Sequence, residues 1–261
     1  MLYVIFFIVC FSASTIGAIC GIGGGVMIKP VLDAFGIMDV SATRFLSGCT
    51  VLSMTTYSVI KNKVSGKNTV ERKIGVPLGI GAAVGGLSGK WLFSQVKDMS
   101  LNPNRVGMVQ ALCLLLVTTG TLMYTLQKHK IKTFRVHKAV PCIVIGIILG
   151  ALSSFLGIGG GPINLVVLFS FFSMPTKTAA ENSLYIIFFS QLASLLAGIV
   201  TGSIPTFPVA VLVWMVAGGI AGGILGRALN KRLEEKMVER CFVGIMVILI
   251  LVNIYNIYKY M

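Results

Sequence analysis

A chain of 261 residues that is 56% hydrophobic and only 11% charged, with mean hydropathy +0.91, is too apolar for a soluble globular domain and reads as an all-α polytopic membrane protein. Its 22 Lys and Arg against 8 Asp and Glu give a net charge of +14. Most of these cations fall in three short loops, where the positive-inside rule accounts for them, so nucleic acid is excluded as a partner.

About 20 apolar residues make one span, which predicts about eight transmembrane helices, near 2–19, 41–60, 74–95, 106–127, 139–156, 178–201, 207–229 and 241–258. The first has neither a basic n-region nor an Ala-x-Ala cleavage site, so it is expected to stay as structure. It ends at Gly21-Ile22-Gly23-Gly24-Gly25, a pentapeptide that returns as Gly157-Ile158-Gly159-Gly160-Gly161 after the run 139–156. Consecutive glycines cost about 1 kcal/mol each in a helix interior relative to alanine, so both runs should break there. A broken helix in hydrocarbon needs partners for its backbone groups, so each break marks a protein-enclosed or wet place. The apolar pieces that follow, 26–36 and 162–173, are predicted as half-helices about half a bilayer deep.

The two breaks are offset by 157 − 21 = 136 positions, and at that offset Met38 meets Met174, Ser47 meets Ser183 and Gly66 meets Gly202. With one residue of slippage, Gly85-Gly86-Leu87-Ser88-Gly89-Lys90 meets Gly222-Gly223-Ile224-Leu225-Gly226-Arg227. The chain therefore reads as an internal duplication in one membrane domain: a first repeat over 1–127, a basic linker over 128–138 and a second repeat over 139–261. Loops 61–73, 128–138 and 230–240 are basic, whereas 202–206 carries no charge. If 2–36 and 139–173 are hairpins that enter and leave on one side, the repeats are inverted and all three basic loops are cytoplasmic, in the plasma membrane. Charge favours this over parallel repeats.

A helix N-terminus offers free N–H groups and about half a positive charge, so two half-helices opening at Gly23, Gly24 and Gly25 and at Gly159, Gly160 and Gly161 could hold a small oxyanion between them. Pro162 suits a first helical position. The alternative is that glycines serve close helix packing, the reading preferred for Gly85, Gly86, Gly89, Gly222, Gly223 and Gly226. Beyond the half-helices stand Arg44 and Ser47, and in the second half Glu181, Asn182 and Ser183. Arg44 could pair with an anion, with Glu181 carrying a proton or pairing with Arg44 or Lys177. Arg44 and Lys177 also stand near helix ends, where long cations snorkel. Asn182, Ser47 and Ser183 are uncharged donors suited to anion oxygens or to interhelical bonds. Lys29 and Asp33 are spaced to pair on one helix face. Asn164 and Gln191 are polar within apolar runs, Gln191 the more cavity-facing.

No metal site, cofactor or enzymatic centre is visible. The six cysteines stand in apolar segments without CxxC or Cys/His spacing and read as buried hydrophobes. His129 and His137 lie unpartnered in the basic linker, and there is no Walker A lysine, HExxH or nucleophile elbow.

Residues 17–25, Gly-Ala-Ile-Cys-Gly-Ile-Gly-Gly-Gly, followed by Pro30, and 155–162, Phe-Leu-Gly-Ile-Gly-Gly-Gly-Pro, with Ala42 and Ser47, then Ala179, Asn182 and Ser183 downstream, resemble the sulfite exporter TauE/SafE family of permeases. The resemblance covers nearly the whole chain. It implies a secondary transporter of small anions, sulfite or organosulfonates and other sulfur-containing organic anions, acting by alternating access, with the breaks and the polar residues after them as site. Symmetry is not strict: Val26 stands where its mate is Pro162, and Phe45-Leu46 where the mate is Glu181-Asn182. An anion channel or a non-transporting assembly factor is the alternative. The expected partners are a small anion and the lipid bilayer, with a homodimer left open.

Overall fold

The computed structural model describes residues 2–64, 72–99, 103–128, 131 and 133–260. Gly66 and Lys67 of the first basic loop, and His129, Lys130 and Lys132 of the linker, lie outside them. The described residues form ten helices and no strand: α1 (Leu2–Cys20), α2 (Gly25–Phe35), α3 (Val40–Val64), α4 (Arg72–Met99), α5 (Pro103–Gln127), α6 (Ala139–Leu156), α7 (Pro162–Phe172), α8 (Thr176–Val200), α9 (Val209–Arg232) and α10 (Glu235–Tyr260). Six of these, α1, α5, α6, α8, α9 and α10, are long and apolar enough to cross a membrane. With 25 and 28 residues, α3 and α4 have the length, but α3 carries a run of Ser and Thr, and lysines punctuate both. Ile8, Ile80, Leu116, Ile148, Val213 and Leu251 are each more than half exposed, as lipid-facing side chains are. The chain is a multi-pass membrane protein.

Both glycine breaks are real, and both half-helices have the expected position. Each is the return limb of a hairpin, because α1 and α2 bring Phe6 and Leu32 into one cluster, and the segment after α5 hydrogen bonds to the end of α7 through Phe134 N to Ser170 O at 2.6 Å and Val136 N to Phe171 O at 3.0 Å. Gly157 ends α6 in the left-handed region, its N–H reaching Ser153 O and Ser154 O, a favoured stop for a helix.

Glycine ridges set the helix pairing. Gly81, Gly85 and Gly89 of α4 face the carbonyls of Ile143, Ile147 and Ala151 of α6, while Gly218, Gly222 and Gly226 of α9 face those of Phe7, Phe11 and Thr15 of α1. A Cβ has no room there, so these glycines serve close packing. Because numbers rise together, α4 runs parallel to α6, and α9 to α1. Gly48 lies against Gln191, and Val51 and Met54 cluster with Ile187 and Leu184, so α3 and α8 cross antiparallel.

The predicted loop 230–240 shrinks to Leu233 and Glu234, since α9 runs to Arg232 and α10 starts at Glu235. Hydropathy ends a span at its charges, but Lys231 and Arg232 suit the negative end of α9 and Glu235 the positive start of α10. Cys10, Cys20 and Cys142 are buried, Cys49 and Cys113 half-buried, and Cys241, against expectation, exposed.

Candidate functional site: a basic cavity beside the second break

Val51 and Ile187 fill the space between the breaks. A Cβ built on Gly159 would stand 2.6 Å from Val51 Cγ1 and 3.3 Å from Ile187 Cγ2, and one on Gly23 would stand 3.2 Å from Ile187 Cδ1 and 3.8 Å from Val51 Cγ1. Ile22 and Ile158 are fully buried beside them, and Gly25 abuts the Ile158 carbonyl. The half-helix starts do meet, as expected, but on apolar side chains. Gly21, Gly23, Gly157, Gly159, Gly160 and Gly161 have positive φ, whereas Gly24 is right-handed and caps α2, accepting from Met27 N and Ile28 N. Gly161 packs on Val26, and Gly160 on Asn164.

A cavity of about 180 Å³ opens next to Gly157 instead, smaller than the roughly 300–1,000 Å³ of drug-sized sites and suited to a small solute. Arg44, Lys90 and Lys97 line it with Ser41, Ser94, Ser154, Ser194, Ser203 and Gln191, and no described carboxylate does. Arg44 reaches it from the second turn of α3, packed against Gly157. Its guanidinium lies 4.0 Å from the Phe93 ring centroid, and its Nη2 donates to Ser154 O at 2.6 Å. Lys90 of α4 donates through Nζ to Thr201 Oγ1 at 2.7 Å and Ser203 Oγ at 2.9 Å, beyond the end of α8. Ser154 Oγ donates to Ser194 Oγ at 2.7 Å, and Gln191 Nε2 to Ser153 Oγ at 3.3 Å, tying α6 to α8.

Among the described residues the ion pairs are Lys29–Asp33 at 2.6 Å, the expected i,i+4 pair, and Lys128–Glu239 at 2.5 Å. Glu181 therefore pairs with neither Arg44 nor Lys177; its Oε2 is buried without a hydrogen bond. Starting on α8, it stands toward the helix end opposite the cavity, too far along to reach Arg44. Arg44 and Lys90 are left as cations facing hydroxyls and carbonyls, a surplus of positive charge in an enclosed place.

Of the sequence-predicted site residues, Arg44 alone lines the cavity, and Gln191, expected to face one, joins it. Ser47 and Ser183 are fully buried one turn from Val51 and Ile187, on the faces that meet the breaks, and their hydroxyls have no hydrogen-bond partner. Asn182 Nδ2 donates to Thr178 O at 2.9 Å within α8. Lys90, Lys97 and Ser154 were not singled out as site residues. A lysine inside the apolar run of α4 was the available signal.

Hairpins that double back inside a helical membrane bundle, with a basic cavity at the tip of one, define a class of polytopic membrane proteins whose irregular backbone is buried within the protein. Residues 6–253 match the family described as Sulfite exporter TauE/SafE. The chain belongs to that family. It is 26% identical over 231 residues to the probable membrane transporter protein YunE of Bacillus subtilis, covering 78% of this chain and 81% of that one. It is also 26% identical over 197 residues to a probable membrane transporter protein of Methanocaldococcus jannaschii, covering 73% and 70%. No solved structure matches the chain.

Proposed function

We propose that the chain is a secondary transporter of small anions, sulfite or organosulfonates among them, working by alternating access across the cytoplasmic membrane. The observation that carries this reading is the cavity in which Arg44, Lys90 and Lys97 face no described carboxylate. Of these Arg44 is half-buried and Lys90 buried, and desolvated cations without counter-charges favour an anion strongly. The family description and the relatives' names agree with it.

Alternating access is natural if the helices form two inverted repeats with eight spans and two half-helices, bounded at 1–127, 128–138 and 139–261. The packing supports this, since the main pairings have counterparts: α1 on α9 and α6 on α4, α2 on α10 and α7 on α5, α3 on α9 and α8 on α4. Lys90 ties α4 to the end of α8, and Arg227 ties α9 to the end of α3 through Ser58 O and Asn62 Oδ1. The antiparallel crossing of α3 and α8 fits inversion. It gathers Lys61, Lys63, Lys128, Lys138, Lys231 and Arg232 at one face, which the positive-inside rule makes cytoplasmic, so the cavity faces outward.

In this reading Arg44 and Lys90 receive the anion, and Ser47, Asn182, Ser183 and the backbone of Gly23, Gly24, Gly25, Gly159, Gly160 and Gly161 meet it as the breaks part. In this reading Glu181, at the start of α8, carries a proton. The test is calorimetric titration of the purified chain with sulfite, methanesulfonate and a size-matched amine. Saturable binding of the anions and none of the amine supports the reading; equal or absent binding contradicts it.

A further inference from the structure

The middle glycine of each break, Gly24 and Gly160, has a buried polar side chain against it. A Cβ built on Gly24 would stand 2.7 Å from Ser14 Oγ, and one on Gly160 would stand 2.5 Å from Asn164 Nδ2. Both Ser14 and Asn164 are 0% exposed, and Ser14 Oγ and both amide atoms of Asn164 have no hydrogen-bond partner among the described residues. Asn164 stands on the first turn of the 11-residue α7, its own N–H turned back to Gly161 O at 3.3 Å. The amide thus sits at a half-helix start, where free N–H groups and the helix dipole already favour negative charge. A buried donor or acceptor left unpaired costs more than an average hydrogen bond contributes. Inside a bilayer such a residue marks a polar solute's path.

The amide differs in kind from the cations and hydroxyls of the cavity above it. It presents a donor and a fixed carbonyl acceptor side by side. The donor suits an ionised oxygen, whereas the acceptor repels one and is satisfied only by an O–H. Resting on the anion-transport reading, we propose that Asn164 is a substrate-contacting residue that selects small oxyanions still carrying one acidic O–H. Its Nδ2 donates to an ionised oxygen, and its Oδ1 accepts from the protonated one. A site built to hydrogen bond a substrate hydroxyl rejects an analogue that lacks it, because the protein group is then left unpaired.

The experiment compares uptake of sulfite and methanesulfonate by the full chain in proteoliposomes, at a mildly acidic pH where sulfite is a proton-bearing monoanion. Methanesulfonate is a monoanion with a methyl group instead. The wild type should prefer sulfite by at least about tenfold in uptake at limiting concentration, and Asn164→Leu should bring that ratio to about one. Asn164→Ala gives the same readout should the leucine variant not fold, and Asn164→Thr, which keeps a hydroxyl, should restore part of the preference. Unchanged ratios in the Leu and Ala variants, with saturable uptake of both anions, would overturn the role of Asn164 and leave the transport reading standing. Absence of saturable uptake of either anion by the wild type would end both.

Discussion

Arg44 and Phe93 stack across the wall of the cavity, the guanidinium carbon 4.0 Å from the ring centroid, while Nη2 holds the Ser154 carbonyl at 2.6 Å. One face of the cation is thereby fixed by an apolar ring and one edge by the last turn of α6, where cations are favoured by the helix dipole. A planar, preorganised fork results, which a lysine cannot reproduce. Arg44→Lys should therefore weaken anion binding about tenfold, or about 1.4 kcal/mol, with the fold retained. Titration of sulfite into both proteins, alongside their melting temperatures, checks this. Unchanged affinity would return Arg44 to a purely structural cap of α6.

Glycines of the two kinds should separate on substitution. Gly86 faces the backbone carbonyl of Ser190, so Gly86→Ala pushes α4 off α8 and should cost about 1–3 kcal/mol of stability. Gly24 has right-handed backbone angles that alanine adopts freely, and the atoms nearest a Cβ there are Ser14 Oγ at 2.7 Å and the Ser14 backbone Cα and N at 3.0 and 3.2 Å. Gly24→Ala should melt closer to the wild type yet transport less, because it crowds a half-helix start. Melting temperature and uptake on the same preparations decide. A Gly24 variant that melts as early as Gly86→Ala while transporting normally would place both glycines in packing alone.

Sidedness has its own readout. Thr206 is exposed in the loop before α9, and Lys231 is exposed at the other end of that helix. Single cysteines at these positions, in a cysteine-free background, should differ in whole cells: an impermeant thiol reagent should label Thr206→Cys and spare Lys231→Cys. The reverse pattern would put the cavity on the cytoplasmic side.

Much of this architecture was legible because the bilayer makes length and hydropathy decisive: the two glycine breaks, the two half-helices and most long-helix ends stand close to their predicted places, and six of the predicted spans are long and apolar enough to cross. The start of α10 was misjudged because Glu235, Lys236, Glu239 and Arg240 are good helix formers that hydropathy reads as loop. The site was harder. Glycines and the residues after them pointed to the helix starts, but Val51 and Ile187 pack into that space, and no local pattern announces such a long-range contact. The cavity draws Arg44 from α3, Lys90 from α4, Ser154 from α6 and Gln191 from α8, four helices whose adjacency is fixed by glycine ridges rather than by sequence neighbourhood. Arg44 was visible as a charge in an odd place and Gln191 as a polar residue in an apolar run; that α3, α4, α6 and α8 bring them together with Lys90 and Ser154 was not.

Two cations without counter-charges, Arg44 and Lys90, are proposed to receive the transported anion. The most direct test is the concentration dependence of labelled sulfite uptake into proteoliposomes containing the wild type, Arg44→Lys or Lys90→Gln. Uptake by the wild type should be saturable, with a half-saturating concentration raised about tenfold or more in each variant, as loss of a charge-assisted hydrogen bond implies. Uptake that is saturable but indifferent to both substitutions, or no saturable uptake at all, would contradict this role of the two cations.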